Sequence, residues 1–286
     1  MKHTSIAVLG AGRMGGGIAQ ICAAAGMRVD LFDRDSSQTA AAVAAIESRL
    51  SRARARDSAA PAVSALTANI TPRDSLGGWL GGADAIIEAV AESAKVKTEL
   101  FRRAEPLADE RALLASNTSS CSITGLADCL RFPRRFVGVH FMNPAPRMRL
   151  VEIIAGAKTA PETVGRAESL ARALGKDTVR AGDSPGFLTN RILMPMINEA
   201  IWALHSGVGG AEDIDRAMTL GMHHPMGPLA LADFIGLDIC LAVLRVMRDG
   251  LGDDKFAPCP LLSRMADAGR LGRKSGRGFY TYPKPA

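Results

Sequence analysis

Long apolar runs, aromatic side chains and patterned cysteines are all scarce in this chain, and each scarcity closes off a class of protein. No stretch of the 286 residues approaches the roughly twenty apolar positions of a membrane-spanning helix, so no membrane span is expected. Aromatic residues make up 5% of the sequence, no long basic run accompanies them, and the net charge of +6 is diffuse. A nucleic-acid surface of basic stripe and stacking rings is therefore not expected; the charge serves either an anionic ligand or solubility. The cysteines (Cys22, Cys121, Cys129, Cys240, Cys259) are odd in number and lack metal-like or disulfide-like spacing. They read as reduced thiols, several of them small core residues, and no metal is expected. The opening MKHTSIAVLG enters a strand at once, which leaves no room for a signal or transit peptide and makes the cytoplasm the default location.

What is present begins with a strand over residues 5–9 that runs into Gly10-Ala11-Gly12-Arg13-Met14-Gly15 and then a helical stretch to Ala25. A second strand, 28–32, ends at Asp33. Gly10 permits the tight turn, Gly12 lets the backbone approach a pyrophosphate, and Gly15 allows helix and strand to pack closely. Free N–H groups at the helix start meet the anion. Asp33 stands where a carboxylate takes both ribose hydroxyls, and it repels a 2′-phosphate, which favours NAD over NADP. Arg34 beside it is the one feature that favours NADP.

Further on, residues 36–56 read as an Ala-rich helix with Arg49, Arg52 and Arg56 on one face, to meet a phosphorylated ligand or only solvent. Residues 57–63 read as a loop, and 69–70 and 83–90 as strands. Glu88 or Glu92 then caps or lines the cofactor crevice, unless helix-dipole preference alone places them. A strand at 112–115 delivers Ser116-Asn117-Thr118-Ser119-Ser120 to the carboxyl end of the sheet, where ligands bind; capping of the next helix is the alternative.

The stretch 135–154 carries two short β-branched runs, 136–140 and 150–154, joined by a connector too short for a helical crossover, which predicts an antiparallel pair. Each run holds one ionisable residue among apolar neighbours, His140 and Glu152. A carboxylate accepting from one ring nitrogen fixes the tautomer and makes the other a better base. A buried pair that only sets strand register is the other reading. After a helix at 161–174 and a strand at 177–180 the texture turns helical, with segments at 186–205, 211–220, 229–234 and 237–249. Gly182-Asp183-Ser184-Pro185 reads as a helix start, placing the domain boundary near Asp183. Asn190, in an apolar arc, meets a ligand or another helix. The methionines at 194, 196, 218, 222 and 226 fit core or subunit interface, and the tail 270–280 folds over a phosphate or is a basic terminus.

With these residues assembled, the chain resembles the 3-hydroxyacyl-CoA dehydrogenase family, nearest its single-function 3-hydroxybutyryl-CoA members, almost end to end. The likeness is carried by GAGRMGGGIAQ, SNTSSCSIT, GVHFMNPAPRMRLVEII, DSPGFLTNRILMPMINEAI, DIDRAMTLGMHHPMGPLALADFIGLD and KSGRGFYTY, in the family's order. The resemblance implies an α/β fold: a Rossmann-like NAD-binding domain with a mostly parallel sheet over 1–183, an all-helical substrate and dimerisation domain over 184–286, and a cleft between them. It implies a homodimer acting on a short-chain (S)-3-hydroxyacyl-CoA, His140 as base, Glu152 as its orienting partner, and Ser119 and Asn190 as substrate contacts. Gly10, Gly12, Met14, Gly15, Asp33, Glu92, Lys97, Asn117, Ser119, Asn143 and Lys274 match cofactor-contacting positions. The chain departs where relatives often place a serine and a lysine against CoA and it has Arg49 and Arg56, and where Ala155 follows VEII. A dehydrogenase of a free hydroxy acid or sugar acid, and a silent nucleotide-binding relative, are the alternatives.

Overall fold

The computed structural model describes residues 3–56 and 63–283, and these form two compact units, Met1–Ser184 and Pro185–Ala286. In the first unit β1 (Ser5–Leu9) is buried along its whole length, so it reads as a continuous apolar run rather than an alternating one. It is followed by α1 (Arg13–Ala24), β2 (Arg28–Phe32), α2 (Ser36–Arg56), α3 (Val63–Thr67), β3 (Ile70–Arg73), β4 (Ala85–Glu88), α4 (Ala94–Ala104), β5 (Leu113–Ser116) and α5 (Ile123–Ala127). Then come β6 (Phe136–Phe141), β7 (Leu150–Ala155), α6 (Pro161–Ala173) and β8 (Asp177–Gly182). The eight strands form one sheet in the order β3-β2-β1-β4-β5-β6-β7-β8. Every neighbouring pair is parallel except β6 and β7, the antiparallel pair expected from the short connector. Its core mixes sheet residues such as Val8, Leu31, Ile87 and Val137 with Ile18 and Cys22 of α1 and Leu170 of α6.

The second unit is helical: α7 (Thr189–His205), α8 (Ala211–Arg216), α9 (Pro228–Ile235), α10 (Leu237–Leu251) and α11 (Pro260–Asp267), packed around Ile197, Ile201, Leu244 and Phe256. Several expected boundaries move. The helix read from 186 begins at Thr189, because Gly186 and Phe187 take left-handed φ angles of 82° and 49°. Asp183 is not its cap. Strand β8 extends to Gly182, and the Asp183 carboxylate instead accepts from the Ile123 and Thr124 N–H groups and the Ser122 hydroxyl, capping α5. The segment 211–220 is α8 followed by a wide π turn, Ala217–Gly221. Of the loop read at 57–63, residues 57–62 lie outside the described residues, and Val63 opens α3.

The tail is also reassigned. Two buried aspartates of the second unit hold it: Asp233 accepts from the Phe279 and Tyr280 N–H groups and the Tyr282 hydroxyl, and Asp215 accepts from the Tyr280 hydroxyl. A side chain at Gly278 would stand 1.8 Å from the Asp233 carboxylate, so the latch requires glycine there.

Candidate active site

Strand order reverses between β1 and β4, and the crevice at their carboxyl ends is where an open α/β sheet binds its ligand. The glycine loop occupies it. Gly10 has φ +110°, and a Cβ there would sit 2.6 Å from the Ala89 carbonyl oxygen; one at Gly15 would sit 1.7 Å from that of Gly10. Both positions therefore need glycine for packing. Gly12 differs: no atom lies within 4 Å of where its Cβ would stand. It begins α1, whose first turn carries neither a side-chain cap nor an acid, so its N–H groups can serve an anion. At the end of β2, Asp33 accepts from the Ala11 N–H at 2.8 Å, which sets a carboxylate beside the loop. These features fit a dinucleotide: an open glycine and uncapped helix for the pyrophosphate, a braced acid for the ribose. Met14 packs partly buried against the core. A depression beside the loop is lined by Gly12, Arg13, Gln38 and Arg49, and Arg49 donates to Gln20 at 2.9 Å. Arg56 is exposed at the end of α2.

Beyond β4 lies a buried charge cluster. Glu88 is fully buried; it accepts from the Lys97 ammonium at 2.7 Å, the Ser116 hydroxyl at 2.6 Å and the Val90 N–H at 2.7 Å. Burial pushes its carboxyl up against the opposing pull of Lys97 and those donors. Lys97, 1% exposed, also reaches Glu92 at 3.3 Å. Glu92 Oε1 gathers the Thr118 and Ser120 hydroxyls, the Ser119 and Ser120 N–H groups and, at 3.2 Å, the Ser119 hydroxyl. Burial alone would raise the Glu92 carboxyl, but Lys97 and these donors outweigh it and hold it down at about 2. Glu88 thus anchors the lysine, and Glu92 shapes the Ser-Asn-Thr-Ser-Ser loop. The loop's residues are not the caps of α5: Ser122 and Asp183 are.

Two strands further along, His140 stands directly opposite Glu152 in the β6–β7 register. Facing residues of an antiparallel pair share a side of the sheet, and here Nδ1 and Oε2 are 2.6 Å apart. Glu152 is fully buried and His140 8% exposed. Asn117 completes the mounting: its side-chain oxygen accepts from the Phe141 N–H at 2.9 Å, tying the residue after His140 to the end of β5. The first unit therefore brings together the glycine loop, Asp33, Glu92, Lys97, Asn117, Ser119, His140 and Glu152 along one sheet. Asn143 is exposed on the β6–β7 connector. Asn190 and Lys274 belong to the second unit, Asn190 half-buried in the first turn of α7 and Lys274 paired with Asp238 at 2.6 Å. Asp183 carries a local signal that points to the wrong helix, and Lys176, which binds the carbonyls of Ala145 and Met148 about thirty residues earlier, carries none.

Comparison with known proteins runs along the whole chain. Residues 5–184 match the family model described as 3-hydroxyacyl-CoA dehydrogenase, NAD binding domain, and residues 186–282 the model described as 3-hydroxyacyl-CoA dehydrogenase, C-terminal domain. A Bacillus subtilis protein named probable 3-hydroxybutyryl-CoA dehydrogenase is 45% identical, over 99% of this chain and 98% of its own. A Bradyrhizobium diazoefficiens protein named 3-hydroxybutyryl-CoA dehydrogenase is also 45% identical, over 97% and 94%. The crystal structure of (S)-3-hydroxybutyryl-CoA dehydrogenase from Ralstonia eutropha matches with a TM-score of 0.95 at 42% identity, over 99% of this chain and all of that one.

Proposed function

The chain belongs to the 3-hydroxyacyl-CoA dehydrogenase family, an NAD-binding oxidoreductase family, and from that premise we propose that it oxidises a short-chain (S)-3-hydroxyacyl-CoA at C3 to the 3-oxoacyl-CoA, reversibly, with His140 as general base. The observation that carries this reading is the buried 2.6 Å contact between His140 Nδ1 and Glu152 Oε2. When bound, NAD supplies the nicotinamide C4 that accepts the hydride from C3. The hydride can leave only as the hydroxyl proton is taken, and with Nδ1 engaged by Glu152 the proton goes to Nε2 of His140. The imidazolium so formed lies against the Glu152 carboxylate, out of water, where the pairing is strongest.

Ser119 and Asn190 are the candidates for orienting the hydroxyl and thioester oxygens. Gly12 and the start of α1 would take the pyrophosphate and Asp33 the adenosine ribose. Glu92, Lys97, Asn117, Asn143 and Lys274 are the further cofactor positions, of which Lys97 acts from full burial. Asp33 also disfavours the 2′-phosphate of NADP. Arg49 and Arg56 would meet the CoA phosphates, since guanidinium groups suit phosphate at least as well as lysine. The second unit exposes Leu188, Ile192, Leu220, Met222, Phe234 and Ile239, between 41% and 70% each, an apolar supply that supports a homodimer formed through this unit.

Oxidation of NADH by 3-oxoacyl-CoA thioesters of increasing chain length, repeated with NADPH and with free 3-oxo acids, tests the proposal. Turnover on acetoacetyl-CoA with NADH supports it. Preference for a free acid would replace it with a hydroxy-acid dehydrogenase, and NADH binding without turnover on any thioester would leave a silent relative.

A further inference from the structure

The end of β6 that carries His140 overhangs the parallel sheet. The β5–β6 ladder stops at the Ser116–Gly138 pair, so Val139, His140 and Phe141 are laddered only to β7. Val139 and Phe141 are packed into the core and Asn117 bonds the Phe141 N–H, and the connector between Phe141 and Leu150 is the remaining constraint on this tip. It is held from two sides.

On one side stands Lys176, in the turn before β8. The residue is 7% exposed, and its ammonium donates to the Ala145 carbonyl at 2.7 Å and the Met148 carbonyl at 2.8 Å. No carboxylate lies within ion-pair distance of it among the described residues, so carbonyl dipoles alone meet its charge, and burial pulls its pKa down. Turn carbonyls are ordinarily satisfied by water at no such cost. On the other side is α1, the helix that follows the glycine loop. Its surface at Gly17 is bare backbone: a Cβ there would stand 3.2 Å from Pro146 Cδ and 3.3 Å from Ala145 Cβ.

We infer that Lys176 is a positioning residue, whose ammonium clamps the β6–β7 connector onto α1 and so fixes the His140–Glu152 pair relative to the dinucleotide site. The inference rests on the function proposed above. The long unbranched stem of lysine lets one cation reach two carbonyls of the connector, and Gly17 leaves the space into which the connector is drawn. Lys176 touches neither His140 nor Glu152, and it acts through the backbone between them.

The test compares wild type with Lys176→Met, Lys176→Arg and Gly17→Ala, reading amide hydrogen exchange of residues 142–149 together with kcat and KM. Lys176→Met is expected to speed exchange in the connector about tenfold and to lower kcat about tenfold, with KM for the thioester roughly unchanged. Lys176→Arg, which keeps charge and donors, restores most of both. Gly17→Ala presses on Ala145 and Pro146 of the connector without touching the lysine, and is expected to lower kcat about threefold while the melting temperature holds. Where Lys176→Met fails to fold, Lys176→Gln, which keeps one donor but loses the charge and reach, takes its place in both readouts. Unchanged connector exchange in Lys176→Met or Lys176→Gln overturns the inference, as does normal kcat in either variant with a loosened connector. Failure of the functional reading shows separately, as a wild type inactive on every thioester, and the exchange experiment still reports on the clamp.

Discussion

At the scale of single residues the chemistry depends on which buried charges have partners. His140 and Glu152 meet at 2.6 Å within the sheet, so removing the carboxylate removes the group that orients the ring and faces the imidazolium formed in turnover. Glu152→Gln is expected to lower kcat by about a hundredfold or more with KM for the thioester little changed. A kcat near wild type would make Glu152 a packing residue. The Glu88–Lys97 pair is a structural counterpart. Both groups are removed from water, so Lys97→Met leaves an uncompensated acid and is expected to cost about 3–5 kcal/mol in urea denaturation, much of it recovered in the double variant with Glu88→Gln. Glu92 governs acid stability with the opposite sign to Glu88. Its carboxyl is held at about 2 in the folded chain, against about 4.3 when unfolded, so its stabilisation is complete above the unfolded value and is lost as pH falls toward 2. Glu88, pushed up by burial, takes up its proton at higher pH than an unfolded glutamate, and so partly offsets this loss. Stability measured from about pH 5 to pH 2.5 should therefore fall less steeply in Glu92→Gln than in wild type. An equal slope would mean that the loop does not hold the charged form.

At the scale of elements, the β6–β7 hairpin is packed tightly enough for a methyl group to disturb it. A Cβ at Gly138, two residues before His140, would stand 2.8 Å from Ile123 Cδ1 and 2.9 Å from Ile154 Cβ. Gly138→Ala is expected to destabilise the chain by about 1–3 kcal/mol in thermal denaturation and to reduce turnover through the displaced strand. The hairpin and the glycine loop were legible in the sequence because their signals are local: β-branched runs with a short connector, and glycines spaced over one turn between a strand and a helix. The His140–Glu152 pairing was legible for the same reason, since two short strands on one connector leave few registers. What was not legible depends on contacts across long stretches of chain. Asp183 looks like the cap of the helix after it and caps α5 about sixty residues earlier. Gly278 reads as one glycine of a basic tail and gives no sign of the Asp233 carboxylate it makes room for. Lys176 reads as one more charge at the end of a helix until the connector folds back on it. Each is a polar group whose partner is chosen by tertiary packing, which periodicity does not encode.

At the scale of the whole molecule, one unit supplies a nucleotide-binding sheet and the other a helical cluster that exposes several large apolar side chains. The Ile192 side of α7, 64% exposed, is the natural place to probe assembly. Ile192→Glu is expected to shift the species seen in sedimentation from dimer to monomer, and a wild type that sediments as a monomer would refute the proposed assembly. None of the helices among the described residues is long and apolar enough to cross a membrane. Burial pushes the Cys22 and Cys240 thiols up to about 12, far from reactive at neutral pH. The central claim is that the chain moves hydride between NAD and a 3-hydroxyacyl-CoA through His140, and it is tested most directly by single-turnover oxidation of NADH with saturating acetoacetyl-CoA in wild type and His140→Gln. The expected result is rapid oxidation in wild type and a loss of about a thousandfold or more in the variant, with NADH affinity unchanged. Oxidation by His140→Gln at a rate near wild type would contradict it.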